Sequence, residues 1–143
     1  METSLKMKTI NQKKPMQYGY SKQVALPFTE AVTKTKDALA VEGFGVLTEI
    51  NVAATLKKKL DINFNQYVIF GACNPAFAHQ ALEAEPEIGL LLPCNVIVYE
   101  RDGSVHVSAI LPTVAMQMVK NDSLHEIATA VEAKLKTVVD AIA

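Results

Sequence analysis

The stretch CNVIVYERDGSVHVSAIL, residues 94–111, decides the fold class of this chain. It holds two apolar runs, CNVIVYE and SVHVSAIL, joined by Arg101-Asp102-Gly103. An Asp-Gly pair between two such runs is among the strongest short-range signals for a β-hairpin, because both residues tolerate the left-handed backbone of a tight turn. The stretch therefore predicts two neighbouring antiparallel strands.

A long helix is predicted at the C-terminus. Ser123-Leu-His-Glu126 has the spacing of a capping box, in which the serine and the glutamate satisfy each other's backbone N–H groups. Apolar residues then recur at helical spacing, at Leu124, Ile127, Ala128, Val131, Leu135 and Val138. A single apolar stripe of this length favours burial against a sheet.

The remaining residues alternate between strand and helix signals. Strands are predicted from Tyr18 to Ala25, over 46–50 and from Tyr67 to Cys73, and helices after Pro27, Asn51 and Asn74. The order is β-α-β-α-β-α-β-β-α, which predicts the α+β class, with a mostly antiparallel curved sheet and helices packed on one face. Residues 17–143 are expected to form one domain, preceded by a flexible basic arm over 1–16.

Composition narrows the function classes. Half of the 143 residues are hydrophobic, and the numbers of basic and acidic residues, 14 and 15, are nearly equal. We therefore expect no nucleic-acid partner, since a basic footprint is missing, and no membrane span, since no apolar run is long enough. Two cysteines without a secretory signal predict a cytoplasmic protein with reduced thiols.

Several stretches in order resemble domain-of-unknown-function family 302, an uncharacterised bacterial and archaeal family. They are LPFTEAVTKTKDALAVEGFGVLTEIN, LKKKLDINFNQYVIFGACNP, ALEAEPEIGLLLPCNVIVYE and DGSVHVSAILP, and the likeness covers about residues 17–140. The resemblance implies a fold like that of the TATA-box-binding protein, with a curved antiparallel sheet around a long C-terminal helix, often paired as a homodimer. It implies no activity, and a shared fold is no evidence of DNA binding.

Cys73 and Cys94 are the candidate catalytic residues. Cys73 ends a predicted strand just before a helix N-terminus, where the helix dipole favours an anion such as a thiolate, so we expect it to be the more reactive thiol. Cys94 begins the next strand. The two thiols meet at one sheet edge if these strands are antiparallel neighbours, and lie at opposite ends if the connection is a parallel crossover. The alternative is a pair of small, buried, inert core residues.

Candidate ligand-binding residues are Asn74, His79, Glu100, His106 and Ser108. His79 and Glu83 have the i, i+4 spacing of a surface pair. His106, Ser108 and Glu100 are expected to line an exposed sheet face that serves a ligand, a partner or a second copy. Met116, Met118 and His125 suggest a copper site, but methionines more often fill gaps in a core. No metal site is assigned with confidence, and no cofactor is predicted.

The sequence carries no dinucleotide fingerprint, Walker loop, H-E-x-x-H or G-x-S-x-G motif. The leading hypothesis is therefore a homodimeric binding protein rather than an enzyme. It would take a small molecule or metal ion in the hollow between the sheet and the long helix, or at the dimer seam. The alternatives are a thiol-dependent redox or persulfide carrier or enzyme, and a module for protein interactions alone.

Overall fold

A computed structural model describes residues 17–143, and the predicted arm over 1–16 lies outside the described residues. Five strands form one sheet in the order β1-β5-β4-β3-β2, and every neighbouring pair is antiparallel. The strands are β1 (Gly19–Val24), β2 (Gly45–Asn51), β3 (Tyr67–Cys73), β4 (Cys94–Arg101) and β5 (Ser104–Ile110). The predicted α+β class, the element order and the antiparallel sheet are confirmed.

Helices occupy the connections between β1 and β2, β2 and β3, and β3 and β4, and two more follow β5. They are α1 (Phe28–Val41), α2 (Val52–Leu60), α3 (Pro75–Ala84), a 3₁₀-helix (Pro86–Leu91), α4 (Pro112–Ala115) and α5 (Asp122–Asp140). The long helix α5 was predicted from the sequence, whereas the 3₁₀-helix and α4 lie outside the predicted helices. None of the helices within residues 17–143 has the length and apolarity needed to cross a membrane.

The core lies between one face of the sheet and the apolar sides of α1 and α5. Alternate residues of the central strands are buried on this side, and Val96, Val98 and Val107 are inaccessible to solvent. The C-terminal half of α5 packs on them through Val131, Leu135, Val138 and Val139. A second, smaller cluster forms around the start of α5 and contains Ala81, Ile88, Met116, Leu124 and Ala128. The helix α5 therefore belongs to two apolar clusters at once.

The hairpin between β4 and β5 forms as predicted. Asp102 and Gly103 both have positive φ, of 52° and 81°, which is the geometry of a two-residue turn with the twist that suits antiparallel strands. Arg101 and Ser104 are the last paired residues before the turn.

The start of α5 differs from the predicted capping box. The N-cap is Asn121, whose side-chain oxygen accepts a hydrogen bond from the backbone N–H of Leu124 at 3.2 Å. The same side chain donates through Nδ2 to the Ala84 carbonyl at 2.9 Å, which ties α5 to the end of α3. Asn121 rather than Ser123 caps α5, because its side chain accepts a hydrogen bond from a helix N–H group and also donates one to a carbonyl of another helix.

The end of α5 is held by β1. The ammonium group of Lys22 donates to the backbone carbonyls of Asp140, at 3.2 Å, and Ile142. Tyr20 donates its hydroxyl to the Asp140 carboxylate at 2.8 Å. A cation on the last carbonyls of a helix satisfies acceptors that have no partner inside the helix and interacts favourably with the helix dipole.

Glu132 links α4 to the middle of α5. Its carboxylate accepts hydrogen bonds from the backbone N–H of Thr113, at 3.0 Å, and from the Thr113 hydroxyl, at 2.6 Å. Burial alone would raise the pKa of this carboxyl, but the two Thr113 bonds and the nearby Lys136 outweigh it, so the pKa lies below its ordinary value of 4.5. The carboxylate therefore stabilises the fold in its charged form.

We predict that Glu132→Gln lowers the free energy of unfolding at pH 7 by about 1 kcal/mol, because charged acceptors make the stronger hydrogen bonds. A carboxyl with a lowered folded-state pKa contributes its stability above its unfolded pKa and loses it as the pH falls through the folded value. The difference between wild type and variant should therefore shrink below about pH 4.5. Urea unfolding at a series of pH values measures it, and a difference that stays constant down to acid pH would contradict the assignment.

Gly71 allows a close approach that no other residue would permit. A Cβ added there would overlap the Thr48 hydroxyl on β2 and lie 2.8 Å from Cγ of Pro93. Pro93 immediately precedes β4, so this contact fixes where the chain enters the central strand.

We predict that Gly71→Ala destabilises the protein by about 1–3 kcal/mol, the usual cost of forcing extra atoms into a packed site. Gly89→Ala is the matched control, because a Cβ at Gly89 would have no neighbour within 4 Å. Urea midpoints of the two variants and wild type test this, and equal midpoints for both variants would show that Pro93 and Thr48 move aside freely.

Candidate functional site

A cavity of about 300 Å³ lies at the seam between the two apolar clusters. One end of the sheet forms its floor, with Ala72 on β3 and Cys94 on β4. Its walls are α3, the segment that follows the 3₁₀-helix, the start of α4 and the N-terminal half of α5. The wall residues include Phe77, Leu92, Met116, Leu124 and Val131. Its position matches the expected hollow between the sheet and the long helix.

Small side chains create this space. Ala72, Ala78, Ala81 and Ala128 all line the cavity, and three of them are almost fully buried. An alanine at a core position leaves room that a leucine or phenylalanine would fill. The cavity opens toward solvent where its lining includes the exposed side chains of Leu47 and Leu82.

Polar side chains are few and lie together among the lining residues. They belong to Cys73 and Asn74, at the junction of β3 and α3, and to Cys94 at the start of β4. The cavity is thus mainly apolar, and its polar lining residues, two cysteines and one asparagine, lie at one end. This composition suits a ligand that is bound mainly by its apolar surface and oriented by a few polar contacts.

The two thiols come together at one end of the sheet but on different faces. β3 and β4 are antiparallel neighbours, which settles the question left open by the sequence, and Ala72 rather than Cys73 is the partner of Cys94. Because side chains alternate along a strand, Cys73 and Cys94 project to opposite faces. Both are free thiols, and this offset is unfavourable for a disulfide, whose Cβ atoms must approach within about 4.5 Å.

Cys94 lies on the core side and is 9% exposed. Burial, with a smaller effect of the neighbouring Cys73, raises the pKa of the Cys94 thiol to about 11. The group is therefore a neutral thiol at physiological pH and a poor nucleophile. Cys73 is only partly buried and immediately precedes Asn74, the N-cap of α3.

Asn74 holds the predicted N-cap position of α3, but its side chain makes no capping bond to that helix within the described part of the chain. It turns the other way instead, and Nδ2 donates to the carbonyl of Glu42 at 3.4 Å. Glu42 ends α1, so Asn74 joins the end of one helix to the beginning of another at the rim of the cavity.

The other candidate residues do not join this cavity. His79 lies on the exposed side of α3, with Nε2 3.7 Å from the Glu83 carboxylate, as expected for a surface pair. Glu100 pairs with Val105 on the helix side of the sheet, whereas His106 and Ser108 lie on the opposite face. The expected grouping of Glu100 with His106 and Ser108 therefore does not form.

His106 and Ser108 belong to the sheet face opposite α1 and α5, here called the open face. His106 stacks on Tyr99 with ring centroids 5.0 Å apart, and Tyr99 stacks on Tyr67 at 5.3 Å. Ser108 shares a hydrogen bond with Ser21 of β1, the two hydroxyl oxygens being 2.7 Å apart. The three stacked rings form a row across β3, β4 and β5. The alternation along these strands is the sequence signal that could have revealed the row, because it places Tyr67, Tyr99 and His106 on the face opposite the buried residues.

The residues of the suggested copper site take other positions. Met116 is buried in the second cluster and lines the cavity, whereas Met118 is exposed. Nε2 of His125 lies 2.8 Å from the Val119 carbonyl, which fixes the turn before α5. Among the described residues, no group of three or more His, Cys, Asp or Glu side chains is placed to hold a metal ion.

We predict that a small alkylating reagent modifies Cys73 in the folded protein and leaves Cys94 unmodified, because only Cys73 is partly exposed and Cys94 keeps its proton. Peptide mass mapping after brief labelling with iodoacetamide at pH 8 measures both sites, and the Cys73→Ser and Cys94→Ser variants verify the assignment. Faster labelling of Cys94, or labelling of neither, would show the prediction to be wrong.

Comparison with known proteins agrees with this architecture. A search of curated proteins finds no match. Among solved structures, the chain is similar to an uncharacterized conserved DUF302 protein from Bacillus stearothermophilus, with 30% sequence identity and a TM-score of 0.82. The likeness covers 87% of this chain and 98% of that one. The model of the domain of unknown function DUF302 matches residues 20–142, and the chain therefore belongs to the DUF302 family.

Proposed function

We propose that the protein binds a small, mainly apolar molecule in the cavity between the sheet and α5. The observation that carries this proposal is an apolar cavity of about 300 Å³ whose few polar side chains are gathered at one end. Well-formed apolar pockets with a small number of converging polar groups are the usual places for small ligands.

The volume limits the size of the ligand. An apolar cavity of about 150 Å³ takes up benzene. Twice that volume suits a two-ring aromatic molecule or an aliphatic chain of about ten carbons. The Cys94 thiol and the Asn74 amide would contact one polar end of such a molecule, since both residues line the cavity where β3, α3 and β4 meet.

A homodimeric state and a cytoplasmic location, both expected from the sequence, belong to the same proposal. Neither is needed for a ligand to occupy the cavity, because all of the lining residues come from one chain. A metal ion is less well supported than an apolar molecule, since the described residues bring no set of three metal-binding side chains together.

We predict that naphthalene and 1-decanol raise the melting temperature of the wild-type protein, because a ligand that binds only the native state stabilises it. Ala128→Leu should abolish this rise, since Ala128 is buried and lines the cavity. Ala133→Leu is the matched control, because it makes the same change at an exposed position of the same helix and should keep the rise. Differential scanning fluorimetry measures all three proteins. A wild type without any shift, or equal shifts in all three proteins, would contradict binding in this cavity.

A thiol-dependent carrier or enzyme is the second candidate. It is favoured by one observation, the partly exposed Cys73 at the cavity rim beside the N-terminus of α3. The buried, protonated Cys94 argues against a cooperating pair, so any such chemistry would use Cys73 alone. The third alternative, a module for protein interactions, makes no use of the cavity.

A further inference from the structure

The cavity proposed for the ligand, here the first cavity, has a neighbour of about 250 Å³, here the second cavity. The second cavity lies among the 3₁₀-helix, β4, β5 and α4. The residues that line it and not the first cavity are Leu90, Leu91, Asn95, Ile110 and Ala115. It opens toward solvent where its lining includes the exposed Leu90 and Asn95. A ligand confined to the first cavity leaves this space unused.

A single layer of residues separates the two cavities. Five residues line both of them, and these are Leu92, Pro93, Cys94, Pro112 and Met116. A residue that lines both cavities borders open space on two sides, so no second layer of side chains lies behind it there. The two cavities are therefore parts of one elongated space with a partition across it.

Met116 is the movable part of this partition. Pro93 and Pro112 carry rings whose bonds do not rotate freely, and the short side chain of Cys94 is held by the pairing of β4 with β3. Leu92 is branched and packs against both apolar clusters. Met116 is buried, but its unbranched side chain has three rotatable bonds, which let a methionine change shape inside a core. A rotation of Met116 is therefore the change that joins the cavities.

The width of the resulting passage selects the shape of the ligand. When the Met116 side chain turns aside, the opening is as wide as the unbranched chain that has left it. A methylene chain has that width, whereas a two-ring aromatic molecule is wider. The second cavity adds nearly as much volume again as the first, so the joined space suits an aliphatic chain of about eighteen carbons.

The chemistry of the lining selects the polar group of the ligand. The described residues that line the two cavities include no charged side chain. A carboxylate or phosphate buried here would lack a counter-charge, which is costly. A neutral group such as a hydroxyl can instead bond to an asparagine amide, and each cavity has one, Asn74 in the first and Asn95 in the second.

We propose that the ligand is a neutral, unbranched aliphatic molecule of about fourteen to eighteen carbons that displaces the Met116 side chain and occupies both cavities. This inference rests on the proposed function, because it extends the ligand of the first cavity into the second. Met116 is then a specificity-determining residue, since its side chain decides whether a chain longer than the first cavity is accepted.

The test compares two neutral alcohols of different length. Equilibrium dialysis of the full chain against radiolabelled 1-decanol and 1-tetradecanol, each below its solubility limit, gives a dissociation constant for each. Every methylene group that leaves water raises affinity about fourfold, so wild type should bind 1-tetradecanol at least about tenfold more tightly than 1-decanol. If the second cavity stays closed, the extra carbons remain in water and the two alcohols bind about equally.

Variants assign the gain to the second cavity. Ala115→Leu fills the second cavity and not the first, so it should remove the preference for 1-tetradecanol and leave 1-decanol binding as in wild type. Ala128→Leu fills the first cavity and should weaken binding of both alcohols. Met116→Ala removes the movable side chain and should bind 1-tetradecanol more tightly than wild type does. Met118→Ala is the matched control, because it makes the same change at an exposed residue and should bind both alcohols as wild type does.

The possible results separate this inference from the proposed function. A wild type that binds neither alcohol contradicts both. Binding of 1-decanol without the tenfold gain, a gain that survives Ala115→Leu, or equal 1-tetradecanol binding by Met116→Ala and Met118→Ala overturns the extension into the second cavity alone. Circular dichroism verifies folding, and Ile110→Phe, which also narrows the second cavity and not the first, replaces Ala115→Leu if that variant does not fold.

Discussion

The rest of the structure depends on the burial of the apolar stripe of α5 against one face of the sheet. Leu135, Val138 and Val139 are almost inaccessible to solvent. Together with the buried valines of β4 and β5, they form the centre of the larger apolar cluster. Other elements are then attached to this helix: β1 through Lys22 at its end, and α4 through Glu132 at its middle. Its start is held against α3 by Asn121.

The cavity forms because one helix, α5, packs in both of the apolar clusters. The C-terminal half of α5 packs closely on the sheet, whereas its N-terminal half faces Ala81, Met116 and the 3₁₀-helix. Where the two packing regions meet, the side chains are small, and the space between them remains open. An unfilled volume loses dispersion contacts on every wall, so the apolar lining gains those contacts when a ligand occupies it.

Strand alternation gives the sheet two chemically different sides. It puts Cys94 in the core and Cys73 on the other side of the sheet, although the two residues lie at the same sheet end. It likewise separates Glu100 from His106. The helix side holds the cavity proposed for a ligand, and the open face holds the row of stacked rings.

By itself, the sequence determined the fold class, the Asp102-Gly103 hairpin and the long closing helix, because periodicity and turn chemistry are local properties. It also indicated that Cys73 and Asn74 mark the junction of a strand and a helix. Only the tertiary structure decided that Asn121 begins α5, since the bond to Ala84 that favours it joins residues far apart in the chain. The one-residue offset of the thiols, the ring row and the cavity arose in the same way, from strand register and helix packing. These are contacts between distant segments, and no local pattern specifies them.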